Sequence, residues 1–159
     1  MVFVIDAVRV PFGKFHGYLS DVRPDDLAGR NIEILLARRG VEKNLIDDVI
    51  LGCANQSGED SRNIARVSSL LSGLPETVPG VTVNRLCGSG MEAAVQGARG
   101  IRADDYSLVV AGGVESMTRS PRILPFASDT VRSNRNVSLV STATGWRLPN
   151  PAFPPEWRL

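Results

Sequence analysis

The chain reads Val83-Asn84-Arg85-Leu86-Cys87-Gly88-Ser89-Gly90-Met91 at the point where a predicted strand gives way to a predicted helix. The residues that lead into it, 81–83, are Val-Thr-Val, a composition typical of strands. The residues that follow, 88–101, are rich in Gly and Ala and have helical character. The sequence therefore places the thiol of Cys87 at a strand-to-helix turn, the arrangement of a nucleophile elbow.

Strand and helix patterns alternate on both sides of this turn. Apolar runs predict strands at 2–10, 49–54, 81–83 and 108–111, and periodic apolar positions predict helices over 24–39, 64–71 and 88–101. The run at 108–111 is continuous, which predicts a strand covered on both faces. The order βαβαβαβ predicts an α/β layered fold with a mostly parallel sheet.

The first of these helices is the best marked. Pro24 stands at its first position, and Asp25 and Asp26 follow in the first turn, where negative charge suits the helix dipole. Gly40 supplies a stop signal.

The composition changes after residue 117. The stretch 118–159 is rich in proline and weakly periodic, and its first part is locally basic. We therefore predict an α/β core over 1–117 and a separate segment over 118–159. Because 149–159 has neither a helix stop nor a strand pattern, we read the chain as one cut short.

Composition excludes several classes of function. The chain is 43% hydrophobic with a net charge of +1, so no bulk charge favours nucleic acid or a membrane surface. No apolar run approaches the ~20 residues of a membrane span, and the N-terminus lacks the pattern of a signal peptide. We predict a cytoplasmic protein with two reduced cysteines and no metal.

The chemistry expected of Cys87 follows from its setting. The N-terminus of a helix favours a thiolate over a thiol, and the amide N–H of Cys87 is a candidate oxyanion donor. Gly88 and Gly90 leave room around the thiol and permit tight backbone geometry. A cysteine in a Gly-rich loop is usually inert, but its position between a strand and a helix favours a nucleophile. This position does not identify the reaction.

Several motifs in order resemble those of the thiolase family. Residues 84–90 resemble its nucleophile motif. Residues 6–13 resemble its opening strand and turn, with Val10 where Thr is usual. Residues 52–60 and 62–66 resemble its second strand and following helix. Residues 111–119 resemble its signature after the fourth strand, and 145–147 resemble a stretch of its loop domain. The resemblance is dense over 2–121 and thin beyond it.

The resemblance implies the N-terminal half of a layered α/β/α/β/α fold, with 118–159 as a partial loop domain or a disordered tail. It implies an acyltransferase that cleaves 3-ketoacyl-CoA with CoA, or condenses acyl-CoAs, through an acyl-Cys87 thioester. Coenzyme A is then a substrate and no cofactor is required. The family usually forms dimers or tetramers. The sequences of residues 55–60 and 113–117 resemble those of thiolases of fatty-acid β-oxidation and of 3-oxoadipyl-CoA degradation.

Two family motifs do not occur in these 159 residues. The activating histidine of a Gly-His-Pro motif and the second cysteine of a Cys-x-Gly motif are both missing. His16, the single histidine, is an incidental loop residue on this reading, and Cys53 is a packed core thiol. Acid–base help is typically worth ~10²–10⁴-fold, so we expect the chain alone to be nearly inactive.

Other polar residues allow two interpretations each. Glu115 is either catalytic or, as Glu-Ser after a strand favours, a residue that makes structural hydrogen bonds or lies at a subunit contact. Asn55 and Gln56 orient a neighbouring subunit's loop or cap a strand. Trp146 lines an acyl channel or simply packs. The arginines of 119–135 meet CoA phosphates or another subunit, or form a solvated loop, which is the default.

Two alternatives to the thiolase activity stay open. The chain is either a non-catalytic half-thiolase that pairs with itself or with a separate C-terminal half, or a relative of ketoacyl synthases and HMG-CoA synthases. The local motifs of those synthases differ from Cys87-Gly88-Ser89-Gly90. A half-protein would expose the apolar face that normally packs on its twin, so we expect self-association.

Overall fold

The computed structural model describes residues 1–56, 59–123 and 140–141. Residues 1–119 form one compact unit. Its elements are a helix α1 (Pro24–Arg39), a 3₁₀ turn (Lys43–Leu45), a strand β1 (Asp48–Gly52), a helix α2 (Ile64–Leu71), a strand β2 (Gly80–Val83), a helix α3 (Ser89–Arg102) and a strand β3 (Val109–Gly113).

The unit 120–159 is described only in part. Its strands β4 (Arg122–Ile123) and β5 (Val140–Ser141) pair in an antiparallel manner. Most of the predicted segment 118–159 lies outside the described residues, so the predicted boundary after residue 117 stays a prediction.

The sheet of the first unit is parallel and has the order β2-β1-β3. The helices α2 and α3 connect its strands in sequence, which confirms the predicted α/β fold. Gly52, the last residue of β1, lies in register with Val83 of β2 and with Gly113 of β3. The carboxyl ends of all three strands therefore meet at one edge, where ligands of open α/β sheets commonly bind.

The core is built around β1, all five residues of which are buried. Val49 and Ile64 are fully buried in it, and the packing extends across α1 and α2. Gly29 of α1 allows that contact, because a Cβ there would lie 3.0 Å from the Cβ of Leu71. The helix α1 begins at Pro24 as predicted and is capped after Arg39 by Gly40, whose φ is +60°.

The predicted strand at 2–10 is wrong. Residues 1–13 form neither helix nor strand, and the side chains of Phe3 and Val4 are 72% and 89% exposed. A run of Val, Ile and Phe favours a strand only where a neighbouring strand completes its hydrogen bonds. Here residues 1–13 have no such neighbour. A cavity of about 790 Å³ is lined by this segment together with β3 and α1.

The predicted burial of β3 on both faces is also wrong. Val110 is buried, but Ala111 and Gly113 are exposed. The same cavity is lined by β3, so this strand is less completely covered than β1.

Among the described glycines, the closest approach to another segment's backbone lies at Gly52. A Cβ built on this residue would lie 2.3 Å from the carbonyl carbon of Ser89 and 2.4 Å from the amide nitrogen of Gly90. Both contacts are with backbone, which cannot move aside as a flexible side chain can. The first turn of α3 therefore rests directly on the end of β1, and only glycine fits between them.

We predict that Gly52→Ala lowers the free energy of unfolding by about 3 kcal/mol, because the added methyl group must push α3 away from β1. The measurement is urea denaturation followed by circular dichroism.

Gly112→Ala is the matched control for this substitution. Gly112 lies in the neighbouring strand, and its Cβ would be 3.7 Å from Leu51 Cδ2, an ordinary contact. The control should change the free energy of unfolding by no more than about 1 kcal/mol. Equal effects of the two substitutions would contradict the assigned close approach.

Candidate active site

Cys87 lies in a five-residue link between β2 and α3. The strand ends at Val83 and the helix begins at Ser89, so the thiol precedes the first helical residue by two positions. The side chain of Cys87 is exposed. The strand-to-helix turn predicted from the sequence is therefore present, and it stands at the carboxyl end of the sheet.

The hydroxyl of Ser89 closes this link. It donates to the carbonyl of Leu86 at 2.6 Å and accepts from the backbone N–H of Arg85 at 2.8 Å. The N–H of Gly88 donates to the Arg85 carbonyl at 3.0 Å. Ser89 is 4% exposed, so these bonds are protected from water. Nothing in the sequence singled out this serine beyond its place in the motif.

The unusual backbone conformation of the link falls on Leu86 and not on Gly88 or Gly90, where it was expected. Leu86, and not a glycine, adopts the left-handed conformation with φ +52°, whereas Gly88 has φ −91°. A Cβ at Gly88 or at Gly90 would come no nearer than 3.4 Å to the atoms around it. Within the described residues, the glycine that the elbow requires is therefore Gly52.

Side-chain hydrogen bonds join the loops that follow the three strands. The carboxylate of Glu115 accepts from the N–H of Ala54 at 2.8 Å and from Asn55 Nδ2 at 3.0 Å. Asn84 Nδ2 donates to the carbonyl of Ala54 at 3.1 Å, and Asn84 Oδ1 accepts from the N–H of Leu86 at 2.9 Å. The structural interpretation of Glu115 is thus the one observed within this chain.

Cys53 is the packed core thiol that the sequence predicts. It is 3% exposed and belongs to the hydrophobic core. Burial, together with the negative charge of Glu115, raises the pKa of the Cys53 thiol to about 12. The thiol stays protonated at neutral pH and is a poor nucleophile.

The other residues singled out from the sequence fall outside the elbow. The backbone N–H of His16 donates to Thr118 Oγ1 at 3.0 Å, and its ring packs edge-on against Phe15, as expected of a loop histidine. Gln56 Oε1 is buried and has no hydrogen-bond partner among the described residues. Trp146 lies outside the described residues.

Arg119 departs from the default of a solvated loop. Its guanidinium makes two hydrogen bonds to the Glu59 carboxylate, at 2.6 and 2.8 Å, and a third to the carbonyl of Ser20. Arg119 lowers the pKa of Glu59 below its usual range. The arginine thus ties distant loops of the first unit together. Arg132 and Arg135 lie outside the described residues.

The described part of the chain offers neither a cluster of metal ligands nor a membrane-spanning helix. No group of three His, Cys, Asp or Glu side chains there is arranged to hold a metal ion. Among the helices described, none is long and apolar enough to cross a membrane.

Comparison with known proteins identifies the family. The sequence pattern of the family described as "Thiolase, N-terminal domain" matches residues 2–144. The chain belongs to the thiolase family.

Curated relatives in this family are similar over nearly the whole chain. It is 49% identical over 150 residues to the 3-oxoadipyl-CoA/3-oxo-5,6-dehydrosuberyl-CoA thiolase of Escherichia coli (strain K12), a match that covers 94% of this chain and 37% of that protein. It is 48% identical over 157 residues to the beta-ketoadipyl-CoA thiolase of Pseudomonas aeruginosa, a match that covers 98% of this chain and 39% of that protein. The chain thus spans less than two-fifths of the length of these relatives.

A solved structure confirms the thiolase-like fold. The acetyl-CoA acetyltransferase of Bacillus anthracis superposes with a TM-score of 0.71 and is 37% identical, over 82% of this chain and 32% of that one. This likeness and the observed parallel sheet agree with the layered N-terminal half expected from the sequence.

The two cysteines should differ sharply in reactivity. With a pKa of about 12, Cys53 is only about 10⁻⁴ ionised at pH 8, and it is buried, whereas Cys87 is exposed. We predict that iodoacetamide alkylates Cys87 at least ~100-fold faster than Cys53 at about pH 8. Peptide mapping by mass spectrometry over a time course measures both rates. Similar rates in the folded protein would contradict the assignment.

Proposed function

We propose that this chain is the nucleophile-bearing part of a thiolase-type acyltransferase, in which Cys87 forms an acyl-thioester. The observation that carries the proposal is an exposed cysteine, two positions before a 14-residue helix and at the carboxyl edge of a parallel sheet, in a chain of the thiolase family. Cys53, the other thiol, is excluded by burial.

The proposed reaction cleaves a 3-ketoacyl-CoA. The Cys87 thiolate attacks the keto carbon, and the bond between carbons 2 and 3 breaks. Its electron pair stays on the carbon of the departing acetyl-CoA, which takes up a proton. The shortened acyl group remains on Cys87 as a thioester. Coenzyme A, losing its thiol proton, then attacks this thioester and releases the Cys87 thiolate.

The proton transfers need groups beyond these residues. The histidine and the second cysteine expected from the family motifs do not occur in 1–159. Because acid–base catalysis typically contributes ~10²–10⁴-fold, residues 1–159 alone should turn over slowly at best. We propose that the activity resides in a homodimer or tetramer, or in a complex with a separate C-terminal half, in the cytoplasm and without a prosthetic group.

The substrate class that we propose is a 3-ketoacyl-CoA with a terminal carboxylate. The support is the naming of the relatives: two that are 49% and 48% identical are described as acting on 3-oxoadipyl-CoA or beta-ketoadipyl-CoA. An alternative substrate is a straight-chain 3-ketoacyl-CoA of fatty-acid β-oxidation.

The nucleophile is tested by trapping the acyl-enzyme. The protein, expressed from its complete reading frame, is incubated with acetoacetyl-CoA, digested and mapped by mass spectrometry. We expect an acetyl group on the peptide that contains Cys87, in the wild type and in the matched control Cys53→Ala, and none in Cys87→Ala. A wild type that acquires no adduct on Cys87 would favour the non-catalytic half-thiolase.

The substrate class is tested with a matched pair. 3-Oxoadipyl-CoA and 3-oxohexanoyl-CoA have acyl chains of the same length and differ in the terminal carboxylate. A site that pairs with this carboxylate should give the first substrate a kcat/KM at least ~10-fold higher. Steady-state assay of CoA-dependent cleavage measures the ratio, and a preference for 3-oxohexanoyl-CoA would favour the fatty-acid alternative.

A further inference from the structure

We propose that Glu115 and Asn84 are positioning residues for Cys87. Together they hold the elbow in place through the loop that follows β1. The inference rests on the proposed function, since it explains how the nucleophile of that reaction is oriented. Hydrogen bonds join the three strand ends, and none of those described below involves Cys87 itself.

Glu115 attaches the loop after β1 to the end of β3. Glu115 stands two residues beyond the end of β3. Its carboxylate accepts from the Ala54 N–H and from Asn55 Nδ2, and Cys53 Sγ lies 3.9 Å from the same carboxylate. All three donors come from 53–55. An ionised carboxylate has only acceptor positions, so it can receive all of them at once.

Asn84 attaches the elbow to this loop. Asn84 Nδ2 donates to the Ala54 carbonyl, so Ala54 is held at its N–H by Glu115 and at its carbonyl by Asn84. The other end of the Asn84 amide accepts from the N–H of Leu86. A continuous chain of hydrogen bonds therefore runs from Glu115 to the residue before Cys87.

The elbow needs such support because of the backbone conformation of Leu86. Leu86 has φ +52°, a conformation that non-glycine residues avoid. Strained residues of this kind persist only where their surroundings determine them. Ser89 holds the carbonyl side of Leu86 and Asn84 holds its N–H side. With either support lost, the link between β2 and α3 can relax and carry the thiol with it.

Asp47 provides a matched comparison within the same sheet. Its carboxylate accepts from the backbone N–H groups of Ser107 and Leu108, at 2.6 and 2.9 Å. These bonds join the starts of β1 and β3, as Glu115 joins the loops at their ends. Asp47 is therefore a carboxylate in an equivalent structural role at the opposite edge of the sheet, away from Cys87.

The experiment compares Glu115→Gln with Asp47→Asn in the protein expressed from its complete reading frame. Glu115→Gln turns one bonded oxygen into an NH₂ group, because the Ala54 N–H and Asn55 Nδ2 bond to different oxygens of Glu115. Asp47→Asn removes the charge but can keep one oxygen as the acceptor for both backbone N–H groups, which bond to the same oxygen of Asp47. We expect Glu115→Gln to lower kcat for 3-ketoacyl-CoA cleavage about 10-fold or more and to leave KM within about two-fold, because a small displacement of a reacting group costs rate rather than binding. Asp47→Asn should leave both values within about two-fold of the wild type.

A second pair of variants tests the link itself. Asn84→Asp keeps the acceptor for the Leu86 N–H but loses the donor to Ala54, whereas Asn84→Ala loses both. We expect kcat to fall in the order wild type, Asn84→Asp, Asn84→Ala. Equal losses of kcat in Glu115→Gln and Asp47→Asn, or an unchanged kcat in Glu115→Gln, would overturn the proposal.

The rate of Cys87 alkylation separates this proposal from the proposed function. Iodoacetamide reacts with the thiolate and needs no acyl chemistry. A wild type that forms no acyl-Cys87 would refute the thiolase activity. Even then, several-fold slower alkylation of Cys87 in Glu115→Gln, with no change in Asp47→Asn, would support the positioning role, and equal alkylation rates in all three proteins would refute it.

Discussion

The contact between the end of β1 and the first turn of α3 governs the rest of the structure. At Gly52 the helix backbone comes so close that no side chain fits. This contact brings Ser89, the first residue of α3, against the strand end, where its hydroxyl closes the elbow. A Cβ at Gly113, which is in register with Gly52, would lie only 2.9 Å from the Gly52 carbonyl. Close backbone packing, and not side chains alone, therefore shapes this edge of the sheet.

The same edge explains why two cysteines close to it differ in chemistry. Cys53 follows Gly52 directly, so its side chain enters the core beside the Glu115 carboxylate, and both burial and negative charge favour the protonated thiol. Cys87 lies on the link that leaves the sheet and is exposed ahead of α3. The Glu115 carboxylate therefore lies beside the buried thiol and accepts from the Ala54 N–H, while the Ala54 carbonyl accepts from Asn84 in the segment that carries Cys87.

Local patterns predicted the elements that depend on local interactions. The first helix was marked by Pro24 and Gly40, and the α/β alternation was readable from short apolar runs. The strand at 2–10 was wrong because pairing depends on a distant partner, which composition does not reveal. The hydrogen bonds of Glu115 were not predictable in detail, since they join residues 60 and 61 positions apart in the chain. Cys87 itself was found from its motif, whereas its supports required the fold.

The N-terminal segment shows how an unpaired stretch can still be held in place. The carboxylate of Asp6 pairs with the guanidinium groups of Arg38 and Arg39, at the end of α1, where positive charge also suits the helix dipole. These two arginines hold the pKa of Asp6 well below its usual range. The contribution of the ion pairs is therefore present above the ordinary pKa of a carboxyl group and is lost only as the pH falls through the lowered one. The rest of this segment is largely exposed and does not pair with the sheet. We therefore expect local unfolding to begin in residues 1–13 and not at the hydrogen-bonded sheet edge that carries Cys87.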